Sequence, residues 1–211
     1  MSRIAGRVRL WGVIGSRNYW EYVVSDNRIV VSVQVSLDGR TAGSGGELDW
    51  FVVQDELHEH FVTEHSKAGM FLYGRRTYEG MAGYWPTADE DPANDQWLVK
   101  YSKLWKSMPK AVFSKTMQYA EWDTTVLPDL ESLAGPRERT SGDLYLVGSG
   151  EVITEFARHD LIDEYQLYVH PVALGAGPSL LEDISKRQGL TLADTQTFDH
   201  AVVKLTYRRI R

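Results

Sequence analysis

The sequence predicts an α/β fold built on a mixed sheet, and three observations carry that reading. Short apolar runs of strand length alternate with segments of helical spacing. Three of those runs, residues 69–73, 111–113 and 144–147, lead directly into glycines, hydroxyls or cations. The chain then closes with two strand-like stretches either side of Asp199-His200, and such a neighbouring pair adds antiparallel strands to an otherwise alternating pattern.

The elements follow in order. Residues 29–36, Ile-Val-Val-Ser-Val-Gln-Val-Ser, begin apolar and then alternate as a strand does. Leu37-Asp38-Gly39-Arg40 supplies a turn. Residues 55–67 carry Leu57, Phe61 and Val62 at helical spacing, and Gly69 just beyond suits a helix C-terminal cap. A strand over 70–73 and a short helix over 77–82 come next, then an acidic, proline-containing loop over 86–95. Residues 96–107 read as a helix, and Pro109 introduces the strand ending at Phe113. A weaker strand at 124–127 precedes a short helix at 129–133 and a polar loop at 136–142. The strand 144–147 enters a glycine turn, and 151–159 form a helix with Ile153, Phe156 and Ala157 on its apolar face. Strands at 165–172, 190–198 and 201–209 complete the chain.

Composition narrows the function. A length of 211 residues suits one substantial domain and is short for two. A net charge of −6 argues against a general nucleic-acid or membrane-surface binder. The absence of cysteine excludes disulfides, thiolate-ligated zinc, iron–sulfur clusters and thiol catalysis, and is compatible with a cytoplasmic protein. No apolar run approaches the ~20 residues that span a bilayer, and no secretory signal is read. Residues 1–27 stand apart from the domain expected over 28–211: Arg3, Arg7, Arg9 and Arg17 lie among Trp11, Tyr19, Trp20 and Tyr22 without a clean period. Two readings stand for this extension, a segment without regular structure or an arm for oligomerisation or an anionic surface. Glu21 and Asp26 argue against a transit peptide.

The strand ends carry the chemistry. In Val147-Gly148-Ser149-Gly150-Glu151-Val152, glycines let a backbone approach a ligand, and the free N–H groups of the following helix favour phosphate. In Gly74-Arg75-Arg76-Thr77, the arginines add planar forks that grip phosphate oxygens, and Thr77 adds a hydroxyl. Ser114 and Lys115 end a third strand and suit a 2′-phosphate if they face the same crevice. Each motif alone reads more simply as a solvated turn, and Glu151 suits a helix N-terminus with no ligand. Their joint occurrence after three strands points to a dinucleotide with an extra phosphate, NADPH rather than NADH.

The ordered set Val35-Ser36-Leu37-Asp38-Gly39, Gly74-Arg75-Arg76-Thr77-Tyr78-Glu79, Val112-Phe113-Ser114-Lys115, Val147-Gly148-Ser149-Gly150 and Asp163-Glu164 resembles the dihydrofolate-reductase-like family. Residues 171–178, Pro-Val-Ala-Leu-Gly-Ala-Gly-Pro, resemble its branch containing the C-terminal reductase domain of the bifunctional riboflavin biosynthesis protein. The resemblance spans about residues 28–209. It implies a three-layer αβα sandwich with a mixed, mostly parallel sheet, bound NADPH, a small heterocyclic substrate and a homodimer. It places the 2′-phosphate near Arg75 and Ser114, the pyrophosphate near Thr77 and the glycine turn, and the nicotinamide beside Val35 and Ser36. Two departures stand out. Ser149 replaces the middle glycine of the family's turn, which makes a cis peptide there costlier. The Pro-Trp loop of dihydrofolate reductases is replaced by Gly43-Ser44-Gly45-Gly46-Glu47-Leu48-Asp49-Trp50. The family's partner deaminase domain needs zinc ligands, so the resemblance implies a reductase-only role for this cysteine-free chain.

Hydride transfer to C=N or C=O needs a proton source or electrostatic partner near the developing charge. Asp38, Asp49 and Glu56 are the candidate acids; their plainer readings are a turn residue, a loop or cap residue and a first-turn charge. Trp50 is a candidate to stack on a flat heterocycle, or else a loop anchor. His58, His60 and His65 share one helix but lack the i, i+4 spacing of a metal pair, so no metal is expected. Gly148-Ser149-Gly150 lacks the Gly-x-Ser-x-Gly frame of a hydrolase elbow. The expectation is an NADPH-dependent reductase of a pyrimidine- or pteridine-like substrate. Its alternatives are a dihydrofolate or other heterocycle or carbonyl reductase, and a non-catalytic NADPH-binding domain.

Overall fold

In the computed structural model the described residues are 27–210 apart from 149, 183 and 185. The sheet has eight strands in the order β4-β3-β2-β5-β1-β6-β8-β7. These are β1 (Ile29–Ser36), β2 (Ala68–Gly74), β3 (Lys110–Phe113), β4 (Thr124–Leu127), β5 (Asp143–Val147), β6 (Glu164–His170), β7 (Leu190–Thr197) and β8 (Val203–Arg209). β1 to β6 pair in parallel, and β8 runs antiparallel to both β6 and β7, so the sheet is mixed and mostly parallel as expected.

Side chains alternate across the central strands and build one core on each face. Val30, Phe71, Tyr73 and Tyr145 meet α1 (Asp55–His65), α2 (Arg75–Ala88) and α3 (Gln96–Ser107) through Leu57, Phe61, Tyr78, Tyr101 and Trp105. Val31, Leu72 and Leu146 meet α5 (Gly150–Arg158) through Ile153, Phe156 and Ala157, with Leu133 beside α4 (Ala134–Arg139). The result is three layers. Burying a side chain such as Phe156 contributes about 1.5–3 kcal/mol, and these two faces account for most of the large apolar residues.

Three expectations are corrected. α2 extends to Ala88 instead of ending near residue 82, with Pro86 in its last turns. Packing on α3 holds that extension: Trp85 lies 4.4 Å from the Tyr101 ring, and Ser102 Oγ donates to the Trp85 carbonyl at 2.6 Å. Residues 134–139 form α4 where a polar loop was expected. Pro136 falls in its first turn, where a missing N–H costs no helix bond. Gly69 is no helix cap, since α1 ends at His65 with Ser66 as its C-cap and Gly69 lies within β2. A Cβ there would sit 2.2 Å from the Ser141 carbonyl oxygen, so glycine is required by close packing between β2 and the chain leading into β5.

Candidate cofactor and substrate site

β1 lies between β5 and β6, and this is where the sheet changes its winding direction. From β1 the chain passes through α1 to β2 on one side, and from β5 it passes through α5 to β6 on the other. In open parallel sheets, ligands bind beyond the carboxyl ends of the strands at such a point. The registers open a gap here. β5 ends at Val147 opposite Ser32, while β1 runs on to Ser36 and keeps its pairing with β6 to His170. The edge of β1 beyond Ser32 therefore has no strand beside it on the β5 side.

The three motifs all gather at this carboxyl edge. Gly74 is the buried N-cap of α2, and Gly74 pairs with Phe113, which places Arg75 beside Ser114. Arg75 Nη1 donates to Thr116 Oγ1 at 2.7 Å, and Arg75 Nε to Glu79 at 2.7 Å. Ser114 Oγ accepts from the backbone N–H groups of Thr116 (3.3 Å) and Met117 (3.0 Å), shaping the turn that carries Thr116. Lys115 is exposed and faces Asp129, whose carboxyl is held below its usual range chiefly by Ser132 and in smaller part by Lys115. Arg76 reaches towards Glu151 at 3.8 Å; with both side chains almost fully exposed, this pair contributes little.

Thr77 and the glycine turn are in direct contact. Gly148 has φ +73°, and a Cβ on it would lie 2.7 Å from Thr77 Cγ2 and 3.0 Å from Thr77 Oγ1. Gly150 is buried at the first turn of α5, Glu151 is exposed beside it, and Val152 packs partly on the core. Ser149 lies outside the described residues. Val35 and Ser36 are buried at the end of β1, with Val147 beside the gap at the end of β5. These residues fit a phosphate-rich dinucleotide: two helix N-termini, a guanidinium bonded to the Thr116 hydroxyl and to Glu79, and a close-approach glycine share one edge.

The candidate acids occupy three different places. Asp38 accepts from Ser36 Oγ (2.7 Å) and from the backbone N–H groups of Leu174 (3.0 Å) and Gly175 (2.9 Å). Those bonds, Ser36 first, hold its carboxyl well below the usual carboxylate range. It acts as a clasp between residues 36–43 and 171–180. Arg40 completes the clasp by donating to the Gly177 carbonyl (2.9 Å) and Ser179 Oγ (2.7 Å). Glu56 Oε2 accepts from Asp199 N at 2.9 Å and ties α1 to the tight turn between β7 and β8. Asp49 is exposed and makes no hydrogen bond or ion pair with the described residues. Trp50 anchors its loop: Nε1 donates to the Glu47 carbonyl at 3.0 Å, and its ring stands edge-on to Phe51 and His170.

The structure adds residues that sequence reasoning missed. Thr116 completes the cluster around Arg75. Gln34 and His170 meet at 2.5 Å at the open end of β1. The sequence signal was present for Gln34, a long polar side chain at an alternating position of an apolar strand, but its partner lies 136 residues away.

Comparisons agree with this architecture. The family model described as the RibD C-terminal domain matches residues 27–204. The uncharacterized proteins YyaP and YwjB of Bacillus subtilis (strain 168) are 31% and 24% identical over 187 and 178 residues. These matches cover 87% and 84% of this chain, and 96% and 95% of those proteins. A candidate riboflavin biosynthesis protein from Shewanella sp. PV-4 superposes with a TM-score of 0.66 at 23% identity, covering 88% of this chain and 99% of that one. Enterococcus faecalis dihydrofolate reductase, complexed with NADP(H) and RAB-propyl, gives 0.60 at 14% identity, covering 87% and 97%. The Thermotoga maritima diaminohydroxyphosphoribosylaminopyrimidine deaminase/5-amino-6-(5-phosphoribosylamino)uracil reductase gives 0.61 at 14% identity, covering 87% of this chain and 57% of that one. The fold is thus dihydrofolate-reductase-like, and by the match over residues 27–204 the chain belongs to the RibD C-terminal domain family.

Proposed function

We propose that this protein is an NADPH-dependent reductase of a pyrimidine- or pteridine-like heterocycle, of the kind that reduces 5-amino-6-(5-phosphoribosylamino)uracil. The observation that carries it is the convergence of Arg75, Ser114 and Thr116 with Thr77, Gly148 and Gly150 on the edge where β1 stands open. Membership of the family supports the reading, as does likeness to a reductase complexed with NADP(H).

In this reading the guanidinium of Arg75 and the hydroxyls of Ser114 and Thr116 hold the 2′-phosphate. The N-termini of α2 and α5, with Thr77, hold the pyrophosphate. The free edge of β1 around Val35 and Ser36 receives the nicotinamide, which supplies a hydride when bound. Asp38 and Glu56 already hold backbone N–H groups, so Asp49 is the acid left to deliver the accompanying proton. Trp50 and Phe51 wall the substrate side of the opening. In this reading the protein works in the cytoplasm as a homodimer.

Titration of purified protein with NADPH and separately with NADH, followed by tryptophan fluorescence, tests the reading. Saturable NADPH binding with much weaker NADH binding is expected. Binding of neither overturns it.

A further inference from the structure

Gln34 is the one residue of β1 that is not buried, and it lies in the stretch of the strand that β5 leaves uncovered. Its amide is not free to choose its orientation. His170, fully buried at the end of β6, accepts a hydrogen bond at Nδ1 from the Val52 backbone N–H at 3.1 Å. A nitrogen that accepts carries no proton, so the neutral ring keeps its proton on Nε2. Burial holds His170 near pKa 4, which keeps the ring in that neutral form around neutral pH. Nε2–H then donates to Gln34 Oε1 at 2.5 Å. With its oxygen committed, Gln34 turns its NH2 group away from His170, and that nitrogen makes no hydrogen bond with the described residues. The same histidine is packed by Phe51, stacked at 5.6 Å, and by Trp50 at 5.5 Å, so the orienting group belongs to the wall of the substrate opening.

Taking the reductase reading as its basis, we propose that Gln34 is a substrate-orienting residue. Its Nε2 donates a hydrogen bond to an acceptor on the bound ring, and His170 is the positioning residue that fixes the amide in the donor orientation. An amide pinned this way discriminates by pattern. A carbonyl oxygen on the ring is welcomed, whereas an amino group in its place sets donor against donor and leaves both unpaired, a mismatch sites use for specificity.

Uracil and 2,4-diaminopyrimidine present opposite edges, acceptor–donor–acceptor across the two carbonyls and the ring N–H between them against donor–acceptor–donor across two amino groups and a ring nitrogen, so they are the test probes. Their dissociation constants are measured by calorimetry with and without NADPH, for wild type, Gln34→Glu, Gln34→Ala, His170→Phe and His170→Gln. Wild type is expected to favour uracil by about tenfold, on the scale of one hydrogen-bond mismatch. Gln34→Glu, an acceptor in the same place, is expected to reverse the preference, and Gln34→Ala to abolish it. His170→Phe is expected to abolish it as well by freeing the amide to flip, and His170→Gln to restore part of it by returning a donor to Gln34 Oε1. Thermal unfolding of each variant separates a lost preference from a lost fold. Equal binding of the two probes by wild type, failure to bind uracil, or a preference that survives Gln34→Glu overturns the proposal. Failure of NADPH to bind removes the reductase reading instead, and the probe preference without cofactor still decides the role of Gln34.

Discussion

Thr77 occupies the space that a side chain on Gly148 would need. A Cβ on Gly148 would lie 2.7 Å from Thr77 Cγ2, and Gly148 itself sits at φ +73°. The two residues join the start of α2 to the turn before α5, the two helix N-termini assigned to the pyrophosphate. Two independent penalties therefore meet in Gly148→Ala, a left-handed backbone and a steric clash. The strain alone costs about 1–3 kcal/mol. The variant is expected to unfold at lower temperature and bind NADPH more weakly. Thr77→Ser, which removes Cγ2, should recover part of the stability in the double variant, as calorimetric melting will show.

The cluster of Arg75, Ser114 and Thr116 makes cofactor choice testable. Charge-assisted hydrogen bonds are each worth about 1.5–3 kcal/mol, so removing two of them in Arg75→Ala with Ser114→Ala should weaken NADPH by about a hundredfold or more. NADH, which lacks the 2′-phosphate, should change by less than about twofold on the same basis. Equal losses for both cofactors, read by fluorescence titration, would reject this assignment.

Asp49 is the candidate acid that makes no hydrogen bond or ion pair among the described residues. If it delivers the proton, Asp49→Asn should lower kcat by about a hundredfold, at the lower end of general acid catalysis, and leave NADPH affinity intact. Glu56→Gln, which keeps an acceptor for the Asp199 N–H, should stay close to wild-type turnover. Steady-state kinetics on a reduced heterocycle distinguish the two.

His65 controls acid stability. It is fully buried between Ser32 Oγ (2.9 Å) and Tyr101 OH (2.7 Å), and burial pushes its pKa down to about 3, with Glu64 opposing and His60 and Lys204 reinforcing. Between about pH 6.5 and 3 the unfolded chain binds a proton at this position that the folded chain does not. Stability must therefore fall as pH drops through that window, by about 1.4 kcal/mol per unit for this one group. His60, held near 4 by burial and then by Lys204, acts in the same direction. Glu64 adds to the loss at lower pH, because its carboxyl is held near 2 by Lys67, Gln166, Lys204 and Tyr145 against the opposing effect of burial. Urea midpoints at pH 7, 6 and 5 should decline in wild type. The decline should be shallower in His65→Gln, which can hydrogen-bond but does not titrate.

What the sequence determined by itself was local. Alternation in residues 29–36 set the two buried faces of β1, the spacing of Ile153, Phe156 and Ala157 set α5, and the ordered strand-end motifs pointed to the family. These features depend on neighbours a few residues apart, where period and turn chemistry act directly. The tertiary structure decided what depends on residues distant along the chain. α2 runs to Ala88 because α3 covers Trp85 and takes its carbonyl, a contact that local propensity around Pro86 opposes. Gly69 is glycine because Ser141 crosses beside it. Asp38 became a clasp because Leu174 and Gly175 present two backbone N–H groups to it, so the same carboxylate that sequence spacing offered as an acid is spent on joining loops. The Gln34 amide oxygen meets His170 only because β6 pairs with β1 so that His170 lies opposite Ser36, two residues beyond Gln34. A turn or a helix face is fixed by the chain's own period, whereas the state of a polar group is fixed by whichever partner the sheet brings within about 3 Å.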